Sequence, residues 1–218
     1  MRRALAAAVL LLAGVPLRAH RLDEYLQGTI LSVEKNRVQA QITLTPGVIV
    51  FPVLIPQIDT DGNGAISESE QRDYAERVLR DLSLSIDGQS PRLKLQSVHF
   101  PPIDEMREGR GEIRIDFAAD LPPGGRHRKL TLENRHQKRI AAYQVNCLVP
   151  GDPHIRITAQ NRNYSQSVYE LDYEETDAPS LPFSPSSWSA GPVWLGAVVL
   201  VLFTRFTLLW RRRYASYL

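Results

Sequence analysis

The sequence predicts a mainly β fold: an antiparallel β-sandwich with an inserted loop and one α-helix, followed by a C-terminal transmembrane helix. Three observations predict it. Short stretches of alternating apolar and polar residues recur between residues 25 and 173, separated by turns rich in Pro and Gly, the pattern of half-buried strands. Only residues 68–82 carry an apolar stripe at helical spacing, formed by Tyr74, Ala75, Val78, Leu79 and Leu82. Both ends of the chain are apolar and basic and contain no acid.

Residues 1–19 read as a secretory signal peptide. Arg2 and Arg3 form the charged start, residues 4–15 an apolar run, Pro16 a break, and Leu17-Arg18-Ala19 a cleavage site ending in a small residue. The run is too short to span a bilayer. Cleavage after Ala19 would leave His20 at the amino terminus, with two nitrogens available to a soft or borderline metal.

Residues 25–33 are rich in β-formers, and residues 34–37 supply a turn. Residues 37–45 then alternate, with Val38, Ala40, Ile42 and Leu44 on one face. The next stretch, residues 48–58, is apolar and therefore buried. Pro52 and Pro56 argue against a regular helix there and predict an extended segment or a broken turn.

Residues 59–70 read Asp-Thr-Asp-Gly-Asn-Gly-Ala-Ile-Ser-Glu-Ser-Glu. Asp59, Asp61 and Asn63 stand at loop positions 1, 3 and 5, where side-chain oxygens converge on a hard cation. Gly64 permits the sharp turn at position 6, Ala65 offers its backbone carbonyl at position 7, Ser67 stands at position 9, and Glu70 at position 12 can bind with both oxygens. Four acids and no base in so short a turn also favour a divalent cation. The expected ion is calcium. Without a regular entering helix or a second loop to pair with, the site is expected to be structural and not a sensor that opens a groove.

Strands resume at Leu84. Asp87-Gly88 is a hairpin-turn signal, and residues 92–100 change phase near Ser97, which predicts a bulge. Ile113, Ile115 and Phe117 share a face. So do Leu130 with Leu132, Tyr143 with Val145 and Cys147, Ile155 with Ile157 and Ala159, and Tyr169 with Leu171 and Tyr173. Cys147 is the only cysteine, so no internal disulfide forms, and its place on an apolar face predicts a buried thiol.

Residues 176–187 have the Pro/Ser-rich composition of an extended spacer. Residues 188–210 are apolar and about 34 Å long as a helix, with Trp188, Trp194 and Trp210 at interfacial levels. Arg205 lies near enough to Arg211 to snorkel to the same interface. The basic tail, residues 211–218, places the C-terminus in the cytoplasm and the domain of residues 20–175 in the periplasm or outside the cell. The membrane is thus an expected partner, and a membrane protein a further one. The chain carries +2, but seven arginines lie in its two ends, which leaves −5 on residues 20–186 and argues against nucleic acid.

Arg126, Arg128, Lys129, Arg135, Lys138 and Arg139 form a basic cluster, which the acidic segment at residues 170–175 can neutralise within the fold. No two of the five histidines have a ligand-pair spacing, although His127 and His136 could meet across a hairpin and join His20 as a second metal set. No nucleophile elbow, phosphate loop or clustered catalytic carboxylates appear, so the chain does not read as an enzyme.

Four stretches carry a resemblance: residues 19–26 (Ala-His-Arg-Leu-Asp-Glu-Tyr-Leu), Leu44-Thr45-Pro46-Gly47, the acidic loop, and residues 145–150 (Val-Asn-Cys-Leu-Val-Pro). On these the chain resembles bacterial exported EF-hand-containing proteins, similar to the extracytoplasmic domain of hydrogenase/urease-accessory-type nickel/cobalt permeases. The resemblance spans residues 20–175 and implies a bacterial envelope protein with an accessory role in metal transport. The sequence carries no multi-helix permease, so transport itself does not carry over, and no nickel-binding motif is present to transfer. The leading expectation is a membrane-anchored extracytoplasmic calcium-binding module with a structural or docking role. The alternative is an accessory nickel-, cobalt- or copper-binding subunit for a membrane permease.

Overall fold

The computed structural model describes residues 23–176. The signal-peptide, His20, spacer and membrane-anchor expectations fall on residues outside this span, apart from Thr176 at the spacer's start. Among the described residues no helix is long and apolar enough to cross a membrane.

Among the described residues the chain is mainly β, with nine strands in two sheets. One sheet has the order β4 (Lys94–His99), β5 (Ile113–Asp120), β2 (Arg37–Pro46), β1 (Tyr25–Val33), β7 (Ala141–Cys147), and the other β3 (Leu82–Ile86), β6 (His127–Asn134), β9 (Val168–Glu175), β8 (Ile155–Arg162). Strands β1 (Tyr25–Val33) and β2 (Arg37–Pro46) form a hairpin in which Tyr25, Leu31 and Val33 face inward with Val38, Ala40, Ile42 and Leu44. Strand β5 (Ile113–Asp120) pairs with β2 and buries Ile113, Ile115, Phe117 and Ala119. Strand β4 (Lys94–His99) lies outside β5, with the expected bulge between Leu95 and Ser97.

In the second sheet, β6 (His127–Asn134) runs between β3 (Leu82–Ile86) and β9 (Val168–Glu175), and β8 (Ile155–Arg162) flanks β9. Inward residues of both sheets and of the helices form one continuous hydrophobic core. The basic and acidic segments meet across β6 and β9: Arg128 Nη1 lies 2.9 Å from Glu175 and Lys129 Nζ 3.1 Å from Glu170.

Four sequence expectations need correction. The sheets are not wholly antiparallel, because β7 (Ala141–Cys147) runs parallel to β1. A parallel neighbour requires a long crossover, which here runs through β2 to β6 and includes β3 and β6 of the second sheet. The second correction concerns helices. Among the described residues there are three: α1 (Phe51–Ile58), α2 (Glu68–Asp81) and the single turn α3 (Ile103–Arg107). Pro52 stands in the first turn of α1, where a missing N–H costs nothing. Pro56 lies inside the helix, yet Phe51, Leu54 and Ile58 still bury one face, so packing outweighs the lost bond.

Third, Asp87-Gly88 forms a tight turn, with φ of 51° and 81°, but it joins only Ile86 to Gln89 before the chain leaves for the other sheet. Fourth, Ala159 is exposed, because an irregularity between Ile157 and Ala159 shifts its phase. Cys147 is half-buried. Burial pushes its thiol pKa up to about 11, opposed in part by the backbone N–H of Val33.

Candidate metal centre

The acidic loop connects α1 to α2, so the chain here is helix–loop–helix. Asp59 caps the end of α1, its N–H donating to the Ile55 carbonyl at 2.9 Å. Gly64, at φ 83°, takes the left-handed conformation that turns the chain back. Ser67 then caps α2 in a capping box: its Oγ accepts from the Glu70 N–H at 3.3 Å, and its own N–H donates to Glu70 Oε2 at 2.9 Å.

This folding gathers three of the expected ligands. One oxygen each from Asp59, Asp61 and Glu70 lies within 4.8 Å of the others, and among the described residues this is the only cluster of His, Cys, Asp or Glu groups that close. Together they can hold a metal ion. Asp59 and Glu70 are largely buried and Asp61 is exposed, so the cluster opens to solvent on one side.

Loop amides orient the carboxylates. Asp59 Oδ1 accepts from Asn63 N–H at 3.2 Å and Oδ2 from Gly64 N–H at 3.0 Å. Asp61 accepts from the Asn63 N–H and side-chain amide at 3.1 and 2.7 Å. Asn63 Oδ1 in turn accepts from the Ala65 N–H at 2.8 Å. Asn63 and Ala65 are thus tied into the loop through these bonds, while Ser67 is tied to Glu70.

Glu70 is the most constrained. Its Oε2 accepts from Ser67 Oγ at 2.7 Å, and its Oε1 from the Thr60 N–H at 2.6 Å and Oγ1 at 3.0 Å. The Ser67 hydroxyl and the backbone N–H groups of Ser67 and Thr60 pull its carboxyl pKa down to about 2 against the opposing effect of burial. The group is therefore ionised at any neutral pH, as a hard-cation ligand must be.

The histidine expectation fares differently. His127 begins β6, has 78% of its side chain exposed and sits 3.1 Å from Glu174. His136 lies just beyond the other end of that strand and is buried. Strand β6 pairs with β3 and β9 and β7 belongs to the other sheet, so no hairpin brings the two rings together. His20 is outside the described residues.

His136 belongs instead to a buried network that sequence reading misses. Its Nδ1 lies 2.8 Å from Asp81 Oδ2 and its Nε2 3.2 Å from Tyr74 Oη, which is 2.8 Å from Tyr25 Oη. Gln27 donates to the His136 carbonyl, and Asn134 donates to Gln27 and accepts from the His136 N–H, at 2.9 Å in each case. Burial pushes the Tyr74 hydroxyl up to about 12 and holds His136 below the ordinary imidazole value, although Asp81 pulls the other way. With His136 neutral, Nδ1–H donates to Asp81 and Nε2 accepts from Tyr74. The network joins α2, which carries Glu70, to β1 and the β6–β7 connection. The polar Gln27 within the β1 apolar pattern was its one local trace.

The fold and site define a class: a two-sheet β domain with a helix–loop–helix insertion that gathers three carboxylates. No protein-family model matches the chain, and no curated protein matches it.

Proposed function

We propose that this chain is a calcium-binding module of the bacterial cell envelope, exported by residues 1–19 and anchored by residues 188–210, in which the ion braces the helix–loop–helix against a β-sandwich. The observation that carries the reading is the convergence of Asp59, Asp61 and Glu70 within 4.8 Å in a loop whose spacing is that of a calcium-binding EF-hand. Asn63, Ser67 and the Ala65 carbonyl complete the expected oxygen set. All-oxygen ligands with three carboxylates suit a hard cation such as calcium better than nickel, cobalt or copper. Two sheets sharing one core support the sandwich reading.

A brace fits better than a switch. Helix α2 is already pinned by its buried stripe and by the Tyr74–His136 network, so the ion adds stability to a fixed helix. The transition-metal alternative has lost the pairing of His127 with His136 and rests on His20. The module is proposed to be non-enzymatic.

Thermal melting of the full chain with and without calcium tests the reading. With Kd on the order of 0.1 mM, as in extracellular modules, 1 mM calcium adds about 1.4 kcal/mol, a rise of about 3–6 °C in Tm. Asp59→Ala abolishes the rise. So does Glu70→Gln, which keeps the helix cap through its amide but loses the charge. An unchanged Tm in the wild type refutes the proposal.

A further inference from the structure

Asn63 stands immediately before Gly64, and of the six asparagines, at positions 36, 63, 134, 146, 161 and 163, it alone precedes a glycine. The pairing matters because the backbone nitrogen that follows an asparagine can attack the side-chain amide carbon and close a five-membered ring. A side chain on the following residue hinders that attack, and glycine carries none. Both residues are exposed, and no neighbouring atom lies within 4 Å of the place where a Cβ of Gly64 would stand. The Gly64 side of the amide is therefore open to the ring that forms.

Three hydrogen bonds set reacting groups around this amide. The Gly64 N–H, which carries the nucleophile's proton, donates to Asp59 Oδ2 at 3.0 Å, so a carboxylate base already holds the proton that must leave. The Ala65 N–H donates to Asn63 Oδ1 at 2.8 Å, the oxygen on which negative charge develops as the amide carbon becomes tetrahedral. Asn63 Nδ2, the leaving atom, donates to Asp61 Oδ2 at 2.7 Å, which fixes the plane of the amide. Asp59 is itself held. It is largely buried at the end of α1, and its other oxygen accepts from the Asn63 N–H at 3.2 Å. Base, nucleophile and electrophile thus belong to one short turn that folding has already ordered.

We propose that Asn63 is a self-modification site, deamidated by its own loop. The Gly64 nitrogen bonds to Asn63 Cγ as its proton passes to Asp59. That proton leaves with Nδ2 as ammonia when the Cγ–Nδ2 bond breaks, and a succinimide remains. One water then opens the ring. Attack at Cγ gives aspartate, and attack at the backbone carbon gives isoaspartate, whose chain runs through the former side chain. Aspartate adds a fourth carboxylate beside Asp59, Asp61 and Glu70, which strengthens cation binding. Isoaspartate lengthens the backbone by one methylene ahead of the Gly64 turn, which disrupts it. These consequences rest on the calcium reading above, whereas the chemistry at Asn63 does not. A cation held by Asp59 and Asn63 would draw both side chains out of the reaction, so loading the site protects it.

The test incubates the full chain in detergent at pH 8 with a chelator and follows each asparagine by peptide mass spectrometry, with aspartate and isoaspartate products separated by chromatography. Asn63 should convert about tenfold or more faster than any other asparagine. Asp59→Asn, which keeps the shape and loses the base, should slow conversion about tenfold or more. The wild-type chain unfolded in urea, where Asp59 no longer holds the Gly64 proton, should also convert more slowly than the folded chain. Calcium at about 10 mM, tenfold above the weakest expected Kd, should slow conversion about tenfold. Three results overturn the proposal: conversion at Asn63 no faster than at the other asparagines, an undiminished rate in Asp59→Asn, or a rate in urea equal to or above that of the folded chain. Selective, Asp59-dependent conversion in a chain that calcium neither protects nor binds supports the chemistry and refutes the calcium reading. Calcium binding without selective conversion refutes the chemistry and leaves the calcium reading intact.

Discussion

Glu70 serves two ends with one carboxylate. It closes the capping box that starts α2 and completes the acidic trio. Both roles are local, which is why the site was legible: ligand positions and cap positions are fixed by spacing within residues 59–70. The buried network was not legible, because Tyr25, Tyr74, His136 and Asp81 meet only through partners 49, 62 and 55 positions apart. His136 makes the network sensitive to acid. Its folded pKa is depressed below 6.5, so the unfolded chain binds the proton first and the stability present above that pH is lost as pH falls through it. Urea unfolding between pH 8 and pH 5 should show this slope, and His136→Gln, though less stable at pH 8, should flatten it. Tyr173 gives a contrasting case. Its hydroxyl is buried without a partner, so Tyr173→Phe should leave stability unchanged or raise it by up to about 1 kcal/mol in the same measurement.

At the scale of elements, alternation identified β2, β5 and β9 because each has one face in the core and one toward solvent, while β1 was read from its β-forming residues. Helix α1 was missed for a physical reason. Proline propensity argues against it, but Phe51, Leu54 and Ile58 recur on one helical face, and their burial decides the conformation. If that burial forms α1, Leu54→Ala, at a fully buried position, should cost about 2–5 kcal/mol in chemical denaturation. It should also weaken calcium binding, since Asp59 hangs directly from the end of α1. The parallel β1–β7 pairing had no local signature, because strand partners are set by the whole chain path.

At the scale of the molecule, the acidic loop and a cleft between α2, β3 and β4, lined by Arg72, Glu76, Arg80, Arg92 and Lys94, flank the same helix. Helix α2 starts at the carboxylate trio and lends Arg72 and Arg80 to the cleft, so it links the two surfaces through one rigid element. An ion at its N-terminal end would hold that element against fraying without moving it. Isothermal titration of the full chain with calcium tests this account most directly. One ion per chain is predicted, with Kd on the order of 0.1–1 mM, lost in Asp59→Ala. Absence of saturable calcium binding up to about 10 mM, tenfold above the weakest expected Kd, or equal binding in Asp59→Ala, would contradict it.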